Sequence, residues 1–143
     1  MMGTAGNAAC RNSTPRARAG LASVVRNVRN GYVSLYTDEF LAASTEGRYR
    51  YMRMLGHIPM VLAEDPRRVL VMAFGTGTTA GSLSVHPSVE RLDMVEISRE
   101  VLEVAPRFAS VNRGVVERAG RPGRPEVRTF VDDARRFVLS SRD

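Results

Sequence analysis

A continuous apolar run, Val69-Leu70-Val71-Met72-Ala73-Phe74, leads directly into Gly75-Thr76-Gly77-Thr78-Thr79-Ala80-Gly81, and this junction constrains the chain more than any other feature. Bounded by Arg67-Arg68 and Gly75, the run has the pattern of a strand buried in a parallel sheet. Glycines at such a strand end let the backbone turn sharply and approach a ligand, while the helix that follows turns its N-terminus toward an anion or polar group. Leu92-Asp93-Met94-Val95-Glu96-Ile97 reads as the next strand, which places Glu96 19 residues beyond Gly77. At that spacing in a βαβ unit a carboxylate is positioned to accept both hydroxyls of a ribose.

The same alternation continues. Ser98 caps a helix with Glu100 in its first turn and Val101, Leu102, Val104, Ala105 and Phe108 on its apolar face, and Pro106 kinks or divides that helix. A Gly/Pro/Arg loop spans residues 118–125, a third strand residues 127–131, and a further helix opens at Asp132. The order βαβαβα predicts an α/β fold with a parallel, doubly wound sheet that stops after about three strands. Asp132-Asp133, followed by Ala134, adds carboxylates near the same crevice, placed to accept a hydrogen bond from an adenine amino group. Each feature also has a plain structural role: glycines allow helix–strand packing, Glu96 ends a strand in solvent, and Asp132 caps its helix. Their convergence at three strand ends points to a nucleoside.

Upstream, residues 22–28 and 32–37 are β-branched and aromatic runs flanking Arg29-Asn30-Gly31, a hairpin signal. Residues 48–62 place Tyr51, Met52, Leu55, Ile58 and Leu62 near helical spacing, and Glu64-Asp65-Pro66 forms a linker. The expected organisation is a disordered basic tail over residues 1–20, a hairpin-and-helix region over 21–65 and a partial Rossmann-like nucleoside-binding domain over 66–143. Composition bears on the tail and on the compartment. All 21 basic residues are Arg, the net charge is +6, and no acidic residue precedes Asp38. That acid-free start reads as a disordered tail ahead of a targeting segment or a nucleic-acid arm. Aromatic residues are 6% of the chain with none before Tyr32, which argues against single-strand nucleic-acid binding. The single Cys10 excludes an internal disulfide and a cysteine zinc cluster, and fits a cytoplasmic setting. No apolar run approaches the ~18–20 residues of a membrane-spanning helix.

Four blocks in order resemble the spermidine synthase family and its spermidine synthase-like relatives: Tyr51-Met52-Arg53-Met54-Leu55-Gly56-His57-Ile58-Pro59, residues 69–77, Val95-Glu96-Ile97-Ser98, and Val131-Asp132-Asp133-Ala134 with Phe137. The resemblance covers about residues 22–139. It implies an N-terminal β-hairpin region followed by a methyltransferase-like Rossmann fold. It also implies aminopropyl transfer from decarboxylated S-adenosylmethionine to putrescine, a step of polyamine biosynthesis. On this reading Glu96 holds the ribose hydroxyls, Asp133 the adenine amino group, and Gly75 and Gly77 form the floor beneath the sulfur. Thr76, Asp132 and Ala134 complete the nucleoside set, and Tyr51 lines the substrate pocket.

Departures from the family pattern fall on the amine side. The Asp of the family's glycine loop is replaced by Thr76, its Gln by Ala42, its Asp-Glu pair by Gly47-Arg48, and its Tyr-His-Glu by Tyr51-Met52-Arg53. Arg48 and Arg53 would repel a diamine if they faced it. The family's catalytic Asp follows a fourth strand that lies beyond Asp143, so the catalytic residue is unknown. His57 reads as a packing or hydrogen-bonding residue and His86, before Pro87, as surface. The expected function is a spermidine synthase-like transferase domain, incomplete at its catalytic segment, with decarboxylated S-adenosylmethionine or S-adenosylmethionine as co-substrate and no metal. The alternatives are an S-adenosylmethionine-dependent methyltransferase with a non-polyamine acceptor, or a non-catalytic dimerising domain. A three-stranded parallel sheet exposes an apolar edge, so the chain is expected to form a homo-oligomer.

Overall fold

The structure, a computed structural model, describes residues 22–141. The basic tail expected over residues 1–20, including Cys10, lies outside the described residues.

Strands β1 (Ala22–Arg26) and β2 (Val33–Thr37) pair antiparallel from Ala22 opposite Thr37 to Arg26 opposite Val33. Their turn satisfies itself locally. The Asn27 N–H donates to the Tyr32 carbonyl at 2.8 Å, the Asn27 and Asn30 side chains accept from Arg29 and Tyr32, and Gly31 takes φ +73°. Val33 and Leu35 of β2 are buried on one face, the period-2 pattern of a half-covered strand.

A third strand, β3 (Phe40–Ser44), joins β2 through the two-residue turn Asp38-Glu39. Both turn residues have positive φ, 48° and 69°, as a tight hairpin turn of this hand requires. The expected hairpin is therefore a three-stranded sheet. β3 escaped notice because its turn carries two acidic residues where Asn or Gly is usual.

Helix α1 (Tyr51–Leu62) follows a short 3-10 turn over Gly47–Arg50. Leu55, Ile58 and Leu62, which lie near helical spacing, are nevertheless all exposed, and the buried positions are Gly56 and Met60. Close approach to α2 (Thr78–Leu83) decides this orientation. A Cβ added at Gly56 would lie 2.9 Å from both the Ser82 Cβ and the Thr79 carbonyl oxygen. Small residues on both helices bring the backbones together, and the larger aliphatic side chains of α1 are turned outward.

The second sheet is parallel, in the order β4 (Arg68–Met72), β5 (Arg91–Glu96), β6 (Glu126–Val131). β5 is central and buried through Leu92, Met94 and Val95. Its Asp93 lies directly opposite Arg128 of β6, which donates two hydrogen bonds at 2.7 and 2.6 Å. That bidentate bond, followed by the opposing cost of burial, places the Arg128 guanidinium above its ordinary range. β4 had read as a buried strand, but it is an edge: Leu70 and Met72 are exposed and only Val71 is buried. No other strand pairs with it among the described residues.

Between β5 and β6 the chain forms α3 (Arg99–Val104), a 3-10 turn over Ala105–Phe108 and α4 (Ala109–Asn112), so Pro106 divides the helix as expected. Helix α5 (Ala134–Ser140) closes the described chain, packing Phe137 on Phe130 at 4.7 Å between ring centroids. One core, centred on Leu92, Met94 and Phe108, extends to Val33, Leu35 and Met60 of the N-terminal region. Because α1 and α2 meet backbone to backbone, Gly56→Ala is expected to lower stability by ~1–3 kcal/mol. Chemical denaturation checks this, and an unchanged midpoint would mean that α1 shifts without cost.

Candidate functional site

The turn after β4 is built on left-handed backbone. Ala73, Gly75 and Gly77 take φ of +62°, +57° and +75°. Ala73 makes the last rung to β5, its N–H donating to the Val95 carbonyl at 3.0 Å. Beyond it the chain reverses, and the Glu96 carboxylate replaces the missing ladder. Oε2 accepts from the Phe74 N–H at 2.8 Å and the Gly75 N–H at 3.4 Å, and Oε1 accepts from the Ser98 N–H at 3.1 Å. Glu96 is 7% exposed.

Each glycine has its own reason. At Gly77 a Cβ would fall 2.2 Å from the Phe74 ring and 2.8 Å from Asn112 Cβ, whereas around Gly75 nothing lies within 4 Å. Gly77 is thus required by packing, and Gly75 leaves its backbone open.

Thr76 and Thr78 are buried, their hydroxyls 2.9 Å apart. The Thr76 carbonyl accepts from Asn112 Nδ2 at 3.3 Å, and the same amide donates to the Ala105 carbonyl at 2.8 Å while its oxygen accepts from the Gly114 N–H at 2.9 Å. Asn112 is fully buried. Sequence reasoning passed over it, although the Asn-Arg-Gly ending of α4, with Arg113 and Gly114 both at positive φ, marks a helix stop.

A cleft of about 1100 Å³ opens over this turn. Gly75, Thr76, Thr78 and Thr79 line its floor, Glu96, Ile97 and Ser98 one side, and Tyr51, Met52 and Leu55 of α1 another. Thr79 Oγ1 ties floor to wall by donating to the Met52 carbonyl at 2.9 Å. Its charged lining residues are Glu96, Asp38 and Arg68, and the amine-side replacements Ala42, Met52 and Thr76 all line it without charge. Arg53 is exposed and is not among the lining residues.

The structure therefore brings Tyr51, Gly75, Thr76 and Glu96 to one cleft, with Gly77 packed beneath the turn. Asp132, Asp133 and Ala134 do not line it. Asp132 borders a separate depression with Arg99 and Phe137, and Arg136 donates to its carboxylate. Asp133, rather than Asp132, caps α5, accepting from the Arg136 N–H at 2.8 Å. Ser98 caps α3 and donates to Glu100 at 2.7 Å. With the backbone N–H of Glu100 acting first and that hydroxyl second, the Glu100 carboxyl lies below its ordinary range. His86, which had read as surface, is half-buried and bonded to His57. Among the described residues no group of three or more His, Cys, Asp or Glu is arranged to hold a metal, and no helix is long and apolar enough to cross a membrane.

A parallel sheet whose first strand ends in a glycine turn, and whose second ends in a carboxylate bonded back to that turn, defines an α/β unit of the methyltransferase-like class. The family model of the spermine/spermidine synthase domain matches residues 48–139, and the chain belongs to that family. It is 34% identical over 104 residues to a polyamine aminopropyltransferase of Pyrococcus abyssi, covering 73% of this chain and 37% of that protein. Against polyamine aminopropyltransferase 1 of Pseudomonas aeruginosa the identity is 28% over 120 residues, covering 84% and 40%. The fold matches the crystal structure of spermidine synthase from Thermotoga maritima with a TM-score of 0.72 at 22% identity, covering 87% of this chain and 42% of that one. A spermidine synthase in complex with the transition state analogue AdoDATO matches with a TM-score of 0.74 at 22% identity, covering 90% and 42%. The chain spans less than half the length of these proteins.

Replacing Asn112 by Leu keeps the volume but strands two carbonyls and one N–H, and is expected to destabilise the fold by about 2–3 kcal/mol. Equilibrium unfolding measures the loss, and wild-type stability in that variant would mean that the amide is dispensable to the turn.

Proposed function

We propose that the cleft over the glycine turn binds an S-adenosyl nucleoside, and that the chain is the nucleoside-holding part of an aminopropyltransferase acting in polyamine biosynthesis. The observation that carries this reading is the Glu96 carboxylate. It is held by three backbone N–H groups beside an open cleft, two on Oε2 and one on Oε1, which leaves one acceptor site on Oε1 for a ribose hydroxyl. A carboxylate fixed in this way is preorganised, so binding spends little on ordering it.

Gly75 leaves room for the sulfur end of the ligand, and Tyr51 with Met52 covers it from α1. Glu96 and Asp38 set two carboxylates in the cleft against the one guanidinium of Arg68, a balance that favours a sulfonium. Decarboxylated S-adenosylmethionine supplies an activated carbon: an amine nitrogen bonds to the aminopropyl CH2, the C–S electron pair passes to sulfur, and the amine sheds a proton. No residue of the cleft is assigned as the base. For Asp132 and Asp133 the adenine amino group remains the proposed ligand, and since both now bond within α5, at least one must turn toward the cleft.

A second reading rests on the uncharged Ala42, Met52 and Thr76: S-adenosylmethionine as methyl donor to an acceptor that is not a polyamine. The lone cysteine in 143 residues suits a cytoplasmic setting for either reaction.

Calorimetric titration with S-adenosylmethionine, its decarboxylated form and methylthioadenosine separates the two readings. Preference for the decarboxylated form supports aminopropyl transfer, preference for S-adenosylmethionine supports the methyltransferase, and binding of none overturns both. Glu96→Gln is expected to weaken the preferred ligand by ~1–3 kcal/mol, and unchanged affinity would show that Glu96 serves only the turn. We also propose that the β4 edge, with Leu70 and Met72 exposed, pairs two copies of the chain. Sedimentation is expected to show a concentration-dependent mass, and a monomer at every concentration rejects the pairing.

A further inference from the structure

His57 of α1 and His86, in the loop after α2, face each other with Nδ1 of the first 2.8 Å from Nε2 of the second and ring centroids 5.1 Å apart. Both rings are half-buried, and neither has another polar partner among the described residues. We propose that this pair is a pH-sensitive clasp that holds α1 against the α2 segment and releases it in acid, loosening the wall that α1 gives the cleft.

The argument is one of proton counting. At 2.8 Å the two nitrogens hold one hydrogen between them, donated by one ring and accepted by the other. A first additional proton goes to the outer nitrogen of the donor ring and leaves the bond intact. A second has only the accepting nitrogen to occupy, and two N–H groups cannot face each other at that distance. Two imidazolium charges on adjacent rings then repel as well. Imidazole is the side chain that takes up protons as a neutral solution is made acid, so acid that charges both rings opens the clasp.

Among the described residues no other side chain bonds to either ring in place of the missing acceptor. Along α1 and its exit the charged residues are Arg50, Arg53, Glu64 and Asp65, the last bonded to Arg67 at 2.7 Å, and α2 has none. In the loop beyond His86, Glu90 is engaged by Arg67 at 3.2 Å and Arg124 at 3.6 Å, and Arg124 also reaches the Pro87 carbonyl at 3.4 Å. The other ties between α1 and α2, the Gly56 contact and the bond from Thr79 to the Met52 carbonyl, do not titrate. Opening of the clasp is therefore local, and it acts on the helix that carries Tyr51, Met52 and Leu55 into the cleft.

The test is amide hydrogen exchange on the full chain, corrected for intrinsic rates, at pH 7.5 and 5.5, comparing α1 with β5. In the wild type, α1 is expected to lose severalfold in protection at the lower pH while β5 is unchanged. The double variant His57→Asn, His86→Gln replaces both rings by amides that bond without titrating, and its α1 protection is expected to be flat with pH. Should the double variant fail to fold, His86→Gln alone, which leaves one titrating ring, is expected to abolish most of the acid loss. Wild-type α1 protection that does not change with pH, parallel loss in α1 and β5, or an undiminished acid loss in a folded variant would each overturn the proposal.

Discussion

The Glu96 carboxylate is the interaction on which the site depends. A parallel ladder ends when one strand turns away, and the N–H groups just past that point are buried without partners unless something else accepts from them. Glu96, at the end of the neighbouring strand, accepts from Phe74 and Gly75 across the gap and from Ser98 on its own side. One side chain thereby fixes the glycine turn, the start of α3 and the separation of the two strand ends. The left-handed residues of the turn follow from the same constraint, because only a sharp reversal brings both N–H groups onto a single oxygen.

The turn is held from below by a second device of the same kind. Phe74 lies under Gly77, and Asn112 reaches up to the Thr76 carbonyl from the end of α4, so aromatic packing and a fully buried amide support what Glu96 anchors from the side. An unpartnered amide at that depth would be costly, and all its polar atoms are used. The opposite wall depends on contact between small residues: Gly56 lets α1 lie directly on Thr79 and Ser82. The glycine-turn side of the cleft is fixed by hydrogen bonding, whereas the α1 side is set by close packing and by two imidazoles.

What could be read in the sequence was local. The strand-glycine-helix junction, the acidic end of the second strand, the Asn-Gly hairpin, the Ser98 cap and the break at Pro106 each lie within a few residues of their cause, and each stands where it was expected. The misses were long-range or disguised. The buried face of α1 is chosen by Gly56 meeting Ser82 from another helix, which apolar periodicity cannot register, since that pattern assumes that the largest side chains face inward. β3 hides behind a turn of two acidic residues at positive φ. The meeting of His57 and His86 joins positions 29 residues apart, and Asn112 reaches Thr76 across 36. Asp132 and Asp133 stand at the strand end where a base could be met, but a cap and an Arg136 contact occupy them.

Two edges of the cleft therefore differ in kind. Alternate residues of a parallel strand face opposite neighbours, and since the Arg67 carbonyl and the Ala73 N–H both bond on the β5 side, the backbone groups of Arg68, Leu70 and Met72 point the other way. That unpaired edge lines the same cleft as Glu96. The hydrogen bonds from Glu96 and Asn112 that fix the glycine turn join residues within 73–114, so that side of the cleft is held by one segment. The rest of the lining comes from the uncharged Ala42 and Met52, from Asp38 and from the open edge of β4 with its Arg68. The turn anchored by Glu96 and the uncharged Ala42 and Met52 thus belong to separate structural elements of one cleft.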